Sequence, residues 1–462
     1  MIARFKYPAI SILILSICIA CYLIFGYDLV RSNFLKLLFL YSILFGGFIF
    51  LISFHKNNFQ LLVGLALVFR ALFIVAIPNL SQDFYRFIWD GRLLAEGINP
   101  YLFTPISFLE SGDFPISQAQ ELINGMGSLN ASHYSNYPPL NQLCFYIAGL
   151  FSENNILGSV IILRLLIIAA DAGTLLFSYK LLKNLKLPVY HIFWFILNPF
   201  VIIELTGNLH FEGVMIFFLV WSLYLLQKKQ WLHVGVILGL SISAKLIPLM
   251  FLPLFFKWFN SKKEETLGFN KLIGFYSIVT LTTVLTFLPF YNASLFDNYS
   301  KTIGLYFQNF EFNASLYYLA RAVGYAISGY NQIAIIGKMI PMVVVLVILG
   351  ITFFKKNSDY KTLMASLLFC LSFYFFTATT VHPWYIATVL ILGVFTNYTF
   401  PILWSFVIML SYFAYFNSDN SENFWVLIIQ YGCLYSFFIW EVFILQKNSH
   451  KKTLSKINIL KG

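Results

Sequence analysis

Long apolar runs recur along the chain from the N-terminus to about Gln446, with short polar segments between them. Many of these runs approach the roughly 20 residues that an α-helix needs to cross a bilayer. Inside a bilayer, backbone polar groups are satisfied only in helices or closed barrels, and runs of this length indicate helices. The pattern therefore predicts an all-α polytopic membrane protein with about fourteen transmembrane helices, in a single domain covering residues 1–462.

Two connections between apolar runs, 80–138 and 291–332, are too long to be turns. The first closes on Pro138 and Pro139, which should begin a helix. The apolar stretch that follows, 140–151, is short for a crossing and is predicted to lie at the surface or to re-enter the membrane. We therefore expect large loops that carry interfacial helices.

Charge sets the orientation of these loops. Hydrophobic residues make up 59% of the chain and charged residues 11%, which excludes an ordinary soluble domain. The net charge of +11 arises largely from Lys and Arg in loops that fall on one side, together with the tail 447–462. This placement follows the positive-inside rule and does not indicate nucleic-acid binding. We predict a bacterial inner (cytoplasmic) membrane protein with cytoplasmic N- and C-termini and outward-facing long connections.

The apolar run at 232–257 is predicted to be a helical hairpin that turns near Lys245, because both of its flanks carry inside-type charge. Its arms are short, and Pro248 and Pro253 interrupt the second one. A broken helix of this kind is tolerated where it lines a protein cavity. The turn would place Lys245 on the outer side.

The segment 81–101, SQDFYRFIWDGRLLAEGINPY, places acids and arginines directly after an apolar run. Asp83 and Asp90 are seven residues apart and lie within about 20° of one helix face, with Arg86 between them and able to pair with either. Asp83 is predicted to act as a general base on an acceptor hydroxyl, with a helix cap paired to Arg86 as the alternative. Asp90 and Arg92 are expected to hold the segment in place, or to contact substrate.

Other polar residues converge on the same side under this topology. A single ionisable group at a helix end says little, but delivery by independent loops indicates a shared site. Together with Arg86, Asp90 and Arg92, the candidate substrate or phosphate contacts are Tyr137, Asn208, His210, Glu212, Lys245, Glu311, Asn313, Arg321 and His382.

Several of these candidates have two interpretations. Asn208, His210 and Glu212 suit sugar hydroxyls or a metal, although a lone His-x-Glu is a poor metal signature. Lys245 is flanked by apolar residues and suits a phosphate, or extends its amine to the interface. The sequence leaves both assignments open.

The second long connection allows similar alternatives. Glu311, Asn313 and Arg321 lie among aromatic residues that could stack on a sugar, or that form an interfacial belt. His382 is either a hydrogen-bond donor to a substrate or a helix cap.

Charged and sulfur-containing residues inside apolar runs are interpreted as structural. Arg164 and Asp171 lie seven residues apart within one run and are expected to be structural or interfacial charges. The five cysteines show no metal-ligand spacing and are expected to pack in or around the helices: Cys18, Cys21, Cys144, Cys370 and Cys433.

The segments SQDFYRFIWDGRLLAEGINPY, NYPPLNQ, GNLHFEG, AKLIPL, FEFNASLYYLAR and VHPWY resemble the signature segments of integral-membrane mannosyltransferase-like enzymes of the glycosyltransferase C superfamily. The resemblance implies a donor sugar linked to a polyprenyl phosphate, usually mannose, and action on the outer side of the membrane. It also implies an essential acid in the first large outer loop, a role that falls on Asp83. The family commonly has a second acid beside it, where this chain has Gln82, and a paired-acid metal site therefore gains little support.

The predicted reaction is transfer of a hexose, with mannose favoured, from a polyprenyl phosphate to an acceptor hydroxyl. The acceptor stays open among glycolipids, polysaccharides, other lipids and proteins, and so does a need for a divalent metal. One alternative is a lipid-linked glycan ligase or polymerase. The other is a lipid or sugar transporter or flippase, although the chain shows no paired half-chain repeat typical of transporters.

Overall fold

The computed structural model describes residues 7–261, 267–308, 310–417 and 419–445, and it is built from helices throughout that part. Within these ranges no strand is present, and only Phe312 and Thr380 form an isolated parallel bridge. The predicted all-α fold is confirmed. The basic tail 447–462 lies outside the described residues.

The N-terminal half begins with three helices, α1 (Pro8–Tyr27), α2 (Phe34–His55) and α3 (Phe59–Ala71). The first long connection then folds into four more, which are α4 (Asp83–Ala95), α5 (Pro105–Ser111), α6 (Ala119–Ala131) and α7 (Pro139–Phe151). Helix α7 begins at Pro139 as predicted, because proline favours the first helical position.

The middle of the chain alternates long and broken helices. Its α-helices are α8 (Ile156–Asn184), α9 (Phe193–Ile196), α10 (Pro199–Val201), α11 (Glu212–Gln227), α12 (Trp231–Ala244), α13 (Phe256–Phe259) and α14 (Phe269–Phe287). A π-helix covers Ile202–Gly207, and 3-10 helices cover Val189–Ile192, Ile247–Phe255 and Leu288–Phe290.

The C-terminal part contains α15 (Leu295–Gln308), α16 (Leu316–Ser328), α17 (Ile333–Phe354), α18 (Tyr360–Thr377), α19 (Ile386–Val394), α20 (Phe400–Val407) and α21 (Phe424–Ile439). 3-10 helices cover Pro383–Tyr385 and Ile408–Phe416, and a π-helix covers Trp440–Leu445.

The predicted number of crossings is not confirmed. Among the described residues, seven helices are long and apolar enough to cross a membrane: Pro8–Tyr27, Phe34–His55, Ile156–Asn184, Phe269–Phe290, Ile333–Phe354, Tyr360–Thr377 and Phe424–Ile444. The pair Val189–Ile196 and Pro199–Gly207, bent by 47°, would add an eighth. Other apolar runs fold into shorter helices; α3, for example, ends at Ala71 although the run continues toward residue 79. The chain is an integral membrane protein, and the described residues contain seven, or at most eight, helices of full spanning length.

Helices α4 and α7 approach each other closely because both present glycine at the crossing. A Cβ added at Gly91 would lie 2.1 Å from the Phe145 carbonyl oxygen, and one added at Gly149 would lie 2.3 Å from the Gly91 carbonyl oxygen. Small residues allow such backbone contact between helices. The crossing holds the second half of α7 against α4.

Charged side chains inside the helical bundle have polar partners. Arg70 Nε lies 2.7 Å from Asp171 Oδ2, and both side chains are buried. Arg164 donates to the carbonyl oxygens of Ile74, Thr206 and Gly207. These contacts agree with a structural role for Arg164 and Asp171. The cysteines are free, and four of them are buried while Cys433 is exposed.

Candidate functional site

The segment that leads into α4 is held in place by side-chain hydrogen bonds. Leu80 N–H donates to Asn208 Oδ1 at 3.1 Å, and Asp83 N–H donates to Ser81 Oγ at 3.3 Å. Asp83 is the first residue of α4, where the positive end of the helix dipole favours a carboxylate. Asn208 therefore positions this segment, and its side chain is buried and bonded within the protein.

The Asp83 carboxyl group is half-buried and lightly bonded. It accepts a hydrogen bond from Asn130 Nδ2 at 3.5 Å and another from Tyr137. Burial raises the pKa of Asp83 above its ordinary value, while the nearby Lys245 charge acts in the opposite direction. Glu212 also contributes to raising it. Within the described ranges, Asp83 forms no ion pair.

The second acid of α4 is in a different environment. Arg86 Nε lies 2.8 Å from Asp90 Oδ1, which resolves the choice of partner in favour of the acid four residues later. Asp90 also accepts from Ser135 and Gln142, at 2.5 and 2.9 Å. Arg92 donates to carbonyl oxygens at the other end of the helix. These three charged side chains hold α4 to its neighbours.

Lys245 lies at the break between α12 and the following 3-10 helix, as the hairpin interpretation predicted. Its backbone is extended, with φ −151° and ψ 140°, and the last carbonyl oxygen of α12, that of Ala244, accepts from Asn141 at 2.8 Å. The Lys245 amine lies 2.9 Å from a Glu212 carboxylate oxygen and 5.6 Å from the centre of the Tyr137 ring. Glu212 is fully buried, whereas the lysine side chain keeps 21% of its exposure. The buried Glu212 carboxylate thus holds the partly accessible Lys245 ammonium group in position.

Two histidines enclose a tryptophan beside this lysine. The Trp384 ring stacks on His210 at a centroid distance of 3.7 Å and on His382 at 4.6 Å, and Phe312 covers the far side of His382 at 5.2 Å. Burial lowers the pKa of His382 to about 3 and lowers that of His210 well below its usual range, with Lys245 acting in the same direction. Both rings are therefore neutral at physiological pH. Since both faces of Trp384 are covered, that ring is not free to stack on a sugar.

A buried glutamate lies close to His210. Glu204 lies in the π-helix Ile202–Gly207, a geometry that recurs at functional sites. One of its carboxylate oxygens accepts from the Tyr412 hydroxyl at 2.7 Å, and the other lies 3.6 Å from His210 Nε2. These two buried atoms lie too far apart for a hydrogen bond, and neither has another hydrogen-bond partner in the part of the chain that the structure describes.

The predicted residues of the second long connection form a neighbouring cluster. Arg321 pairs with Glu311 and lies over the Tyr318 ring, 4.4 Å from its centre. Asn313 is buried with a positive φ of 50°, and its N–H donates to Glu422 at 2.6 Å. Phe312, between the two, connects this cluster to His382.

Five predicted residues lie around Lys245, whose charge acts on Asp83, His210 and His382, and the six residues form one group. We name this group the Asp83 cluster: Asp83, Tyr137, His210, Glu212, Lys245 and His382. Glu311, Asn313 and Arg321 lie in the adjoining cluster, and Arg86, Asp90 and Arg92 lie in internal contacts along α4. The sequence analysis did not identify Glu204 as a site residue, because it lies within an apolar stretch that gave no separate signal, and it included Trp384 only as part of the VHPWY segment.

The donor set does not favour a bound metal. No group of three or more His, Cys, Asp or Glu side chains in the described part of the chain is arranged to hold a metal ion. His210 and Glu212, the residues of the possible metal motif, contact Trp384 and Lys245 respectively. Their present contacts fit positioning roles better than ligation.

Comparison with known proteins agrees with the motif resemblance. The family described as alpha-(1->6)-mannopyranosyltransferase, N-terminal domain, matches residues 30–260. The chain is 20% identical over 220 residues to alpha-(1->6)-mannopyranosyltransferase A of Mycobacterium tuberculosis, a match that covers 47% of this chain and 40% of that protein.

A second relative belongs to a eukaryote. The chain is 35% identical over 98 residues to GPI mannosyltransferase 1 of Schizosaccharomyces pombe, covering 21% of this chain and 26% of that protein. The chain therefore spans less than half the length of either of these relatives. Because the family match extends over half of the 462 residues, the protein belongs to the alpha-(1->6)-mannopyranosyltransferase family.

Proposed function

We propose that the protein is a glycosyltransferase that moves mannose from a polyprenyl-phosphate-linked donor to an acceptor hydroxyl on the outer face of the membrane. Membership of the family supports the class of enzyme, and the names of both relatives support mannose as the sugar. A glycolipid, polysaccharide, other lipid or protein serves as acceptor. The proposed enzyme is one membrane domain, 1–462, of a bacterial inner membrane.

The carrying observation is the contrast between Asp83 and the other acids near it. Asp90 is paired with Arg86, Glu212 with Lys245 and Glu311 with Arg321. Asp83 is half-buried without an ion pair in the part of the chain that the structure describes, and its raised pKa suits a base. A carboxylate left available beside a cation is what a base next to a phosphate-linked sugar requires.

In the proposed reaction, the acceptor oxygen attacks the anomeric carbon of mannose while Asp83 takes the proton from the hydroxyl group. The bond from the anomeric carbon to the phosphate oxygen breaks, and polyprenyl phosphate leaves with the electron pair. One displacement inverts the configuration at that carbon. The Lys245 ammonium stabilises the charge that develops on the leaving phosphate. Glu212 fixes the lysine in position.

Exposed apolar residues along α14 and α17 suit contact with lipid, which a donor with a polyprenyl tail requires. Leu281, Val284, Leu285, Met342 and Leu346 are among the exposed side chains of these helices. A donor anchored in this way moves within the bilayer and presents its phosphate at the interface.

The test uses membranes that contain the protein and labelled polyprenyl-phosphate mannose, with polyprenyl-phosphate glucose in parallel. We expect label to enter a new product from the mannose donor. Transfer of whole oligosaccharides would instead indicate a ligase or polymerase. Absence of transfer from both donors, together with lipid translocation in vesicles, would establish a transporter.

A further inference from the structure

Arg31 lies in the short turn between α1 and α2, close to the segment that leads to Asp83. Asn79 Nδ2 donates to the carbonyl oxygens of Phe25 and Leu29, at 2.7 and 2.9 Å. These bonds hold the end of α1 and the start of the turn against the chain four residues before Asp83. The turn between α1 and α2 therefore lies against the segment that leads to Asp83.

Arg31 differs from the other arginines in its contacts. It is the one arginine of the described residues whose guanidinium has neither an ion pair nor a hydrogen bond to the protein, whereas such contacts are made by Arg70, Arg86, Arg92, Arg164 and Arg321. Its nearest acid in sequence, Asp28, pairs with Lys36 at 2.6 Å. The Arg31 guanidinium instead lies over the Tyr415 ring, 4.2 Å from its centre.

Tyr415 connects Arg31 to the Asp83 cluster. Its ring lies 6.1 Å from Phe312, which stacks on His382. The charges of Arg31 and Asp83 both influence the pKa of the Tyr415 hydroxyl group, in opposite directions. Arg31 and the proposed base therefore both act on the space around Tyr415.

The other cations near this space already have carboxylate partners. Glu212 pairs with Lys245, and Glu311 pairs with Arg321. The Arg31 guanidinium contacts only an aromatic face, so its N–H donors stay available. The paired N–H groups of a guanidinium match the spacing of two phosphate oxygens. An anion supplied by a ligand would complete the site.

We propose that Arg31 binds the phosphate group of the polyprenyl-phosphate donor and, after transfer, of the polyprenyl phosphate product. This inference deepens the proposed function and rests on it for the identity of the donor. It assigns the second cation of the phosphate site to Arg31 in place of Arg321.

The experiment measures equilibrium binding of labelled polyprenyl phosphate to the purified full-length protein in neutral-lipid nanodiscs. We compare wild type, Arg31→Gln, Arg31→Lys and Lys36→Gln. Loss of charge-assisted hydrogen bonds should weaken binding by about 10- to 100-fold in Arg31→Gln. Arg31→Lys keeps the positive charge but not the paired N–H donors of the guanidinium, and it should lose less binding affinity than Arg31→Gln. Lys36→Gln removes a charge from the same region and should bind like wild type.

Three results would overturn the assignment. Wild-type affinity in Arg31→Gln would show that Arg31 does not contact the phosphate. An equal loss in Lys36→Gln would show that only the general surface charge matters. Displacement of the probe by phosphatidylglycerol or inorganic phosphate at matched concentrations would show a site for any phosphate, without selectivity for the polyprenyl compound.

Binding is measured without catalysis, so the two proposals fail separately. A wild-type protein that binds polyprenyl phosphate through Arg31 but transfers no sugar would refute the proposed function alone. In an active enzyme, Arg31→Gln should raise the donor KM, and this rise should exceed that in Lys36→Gln.

Discussion

The Asp83→Asn substitution removes one negative charge from the first turn of α4 and leaves the surrounding packing in place. The carboxyl group is half-buried, accepts only a long hydrogen bond from Asn130 and one from Tyr137, and forms no ion pair in the described part of the chain. Asparagine has the same shape and still accepts hydrogen bonds. The loss of a favourable charge at a helix N-terminus costs about 0.3–1 kcal/mol.

The expected loss of activity is far larger. A positioned general base contributes roughly 10² to 10⁴ in rate, which corresponds to about 3–5 kcal/mol of transition-state stabilisation. The asparagine amide would occupy the same position but could not take the proton from the acceptor hydroxyl. We therefore expect Asp83→Asn to fold normally and to transfer mannose at least about a hundredfold more slowly.

The assay follows labelled mannose from polyprenyl-phosphate mannose into product, alongside thermal unfolding of the same purified samples. Asp90→Asn is the matched control on the same helix. It breaks the buried pair with Arg86 and disturbs the bonds from Ser135 and Gln142, and we expect it to lower the free energy of unfolding by about 3–5 kcal/mol. The two substitutions should therefore separate catalysis from stability.

Activity of Asp83→Asn within tenfold of wild type would refute Asp83 as the base. A loss of stability in Asp83→Asn as large as that in Asp90→Asn would also contradict the reasoning, because it would show a structural role that the contacts do not indicate.

The remaining predictions concern charge. Because burial raises the pKa of Asp83 above 3.8, the base becomes protonated as pH falls through that raised value, and kcat/KM should decline on an acid limb above pH 3.8; a limb at or below this value would contradict the assignment. Lys245→Gln leaves the buried Glu212 carboxylate without its ion-pair partner and should lower the free energy of unfolding by about 3 kcal/mol. Adding Glu212→Gln should restore most of that stability, measured by thermal unfolding, but should not restore the donor KM. Arg70→Met leaves Asp171 unpaired and should cost about 3–5 kcal/mol in the same assay, and an unchanged unfolding temperature would argue against that pair as a structural element.

The pattern of apolar runs predicted the all-helical class, but it did not predict which runs form full-length helices and which form shorter ones. The apolar run that contains α3 continues toward residue 79, but the helix ends at Ala71. The predicted interruption near Lys245 is present as a break between α12 and a 3-10 helix, because the prolines after it give a local signal. An apolar run is equally compatible with contact to lipid and with burial inside the protein. Only the packing of the helices shows which of the two environments a given run occupies.

The two acids of α4 show the same limit at the site. Sequence spacing placed Asp83 and Asp90 on one face with Arg86 able to pair with either. In the structure Arg86 pairs with Asp90. Ser135 and Gln142, which lie far along the chain, also donate hydrogen bonds to the Asp90 carboxylate and complete its set of partners. No local rule identifies partners at such separations.

The sequence by itself determined a helical membrane protein, the family to which it belongs and most of the segments that form the Asp83 cluster, because hydrophobicity, helix periodicity and motif chemistry are local properties. Tertiary structure decided which charges are neutralised, which helices reach full length and which rings stack. The pairing of Glu212 with Lys245, the His210–Trp384–His382 stack and the place of Arg31 over Tyr415 all join residues from separate segments. Burial makes these pairings specific, because a buried charge without a partner is costly and the fold must bring one to it.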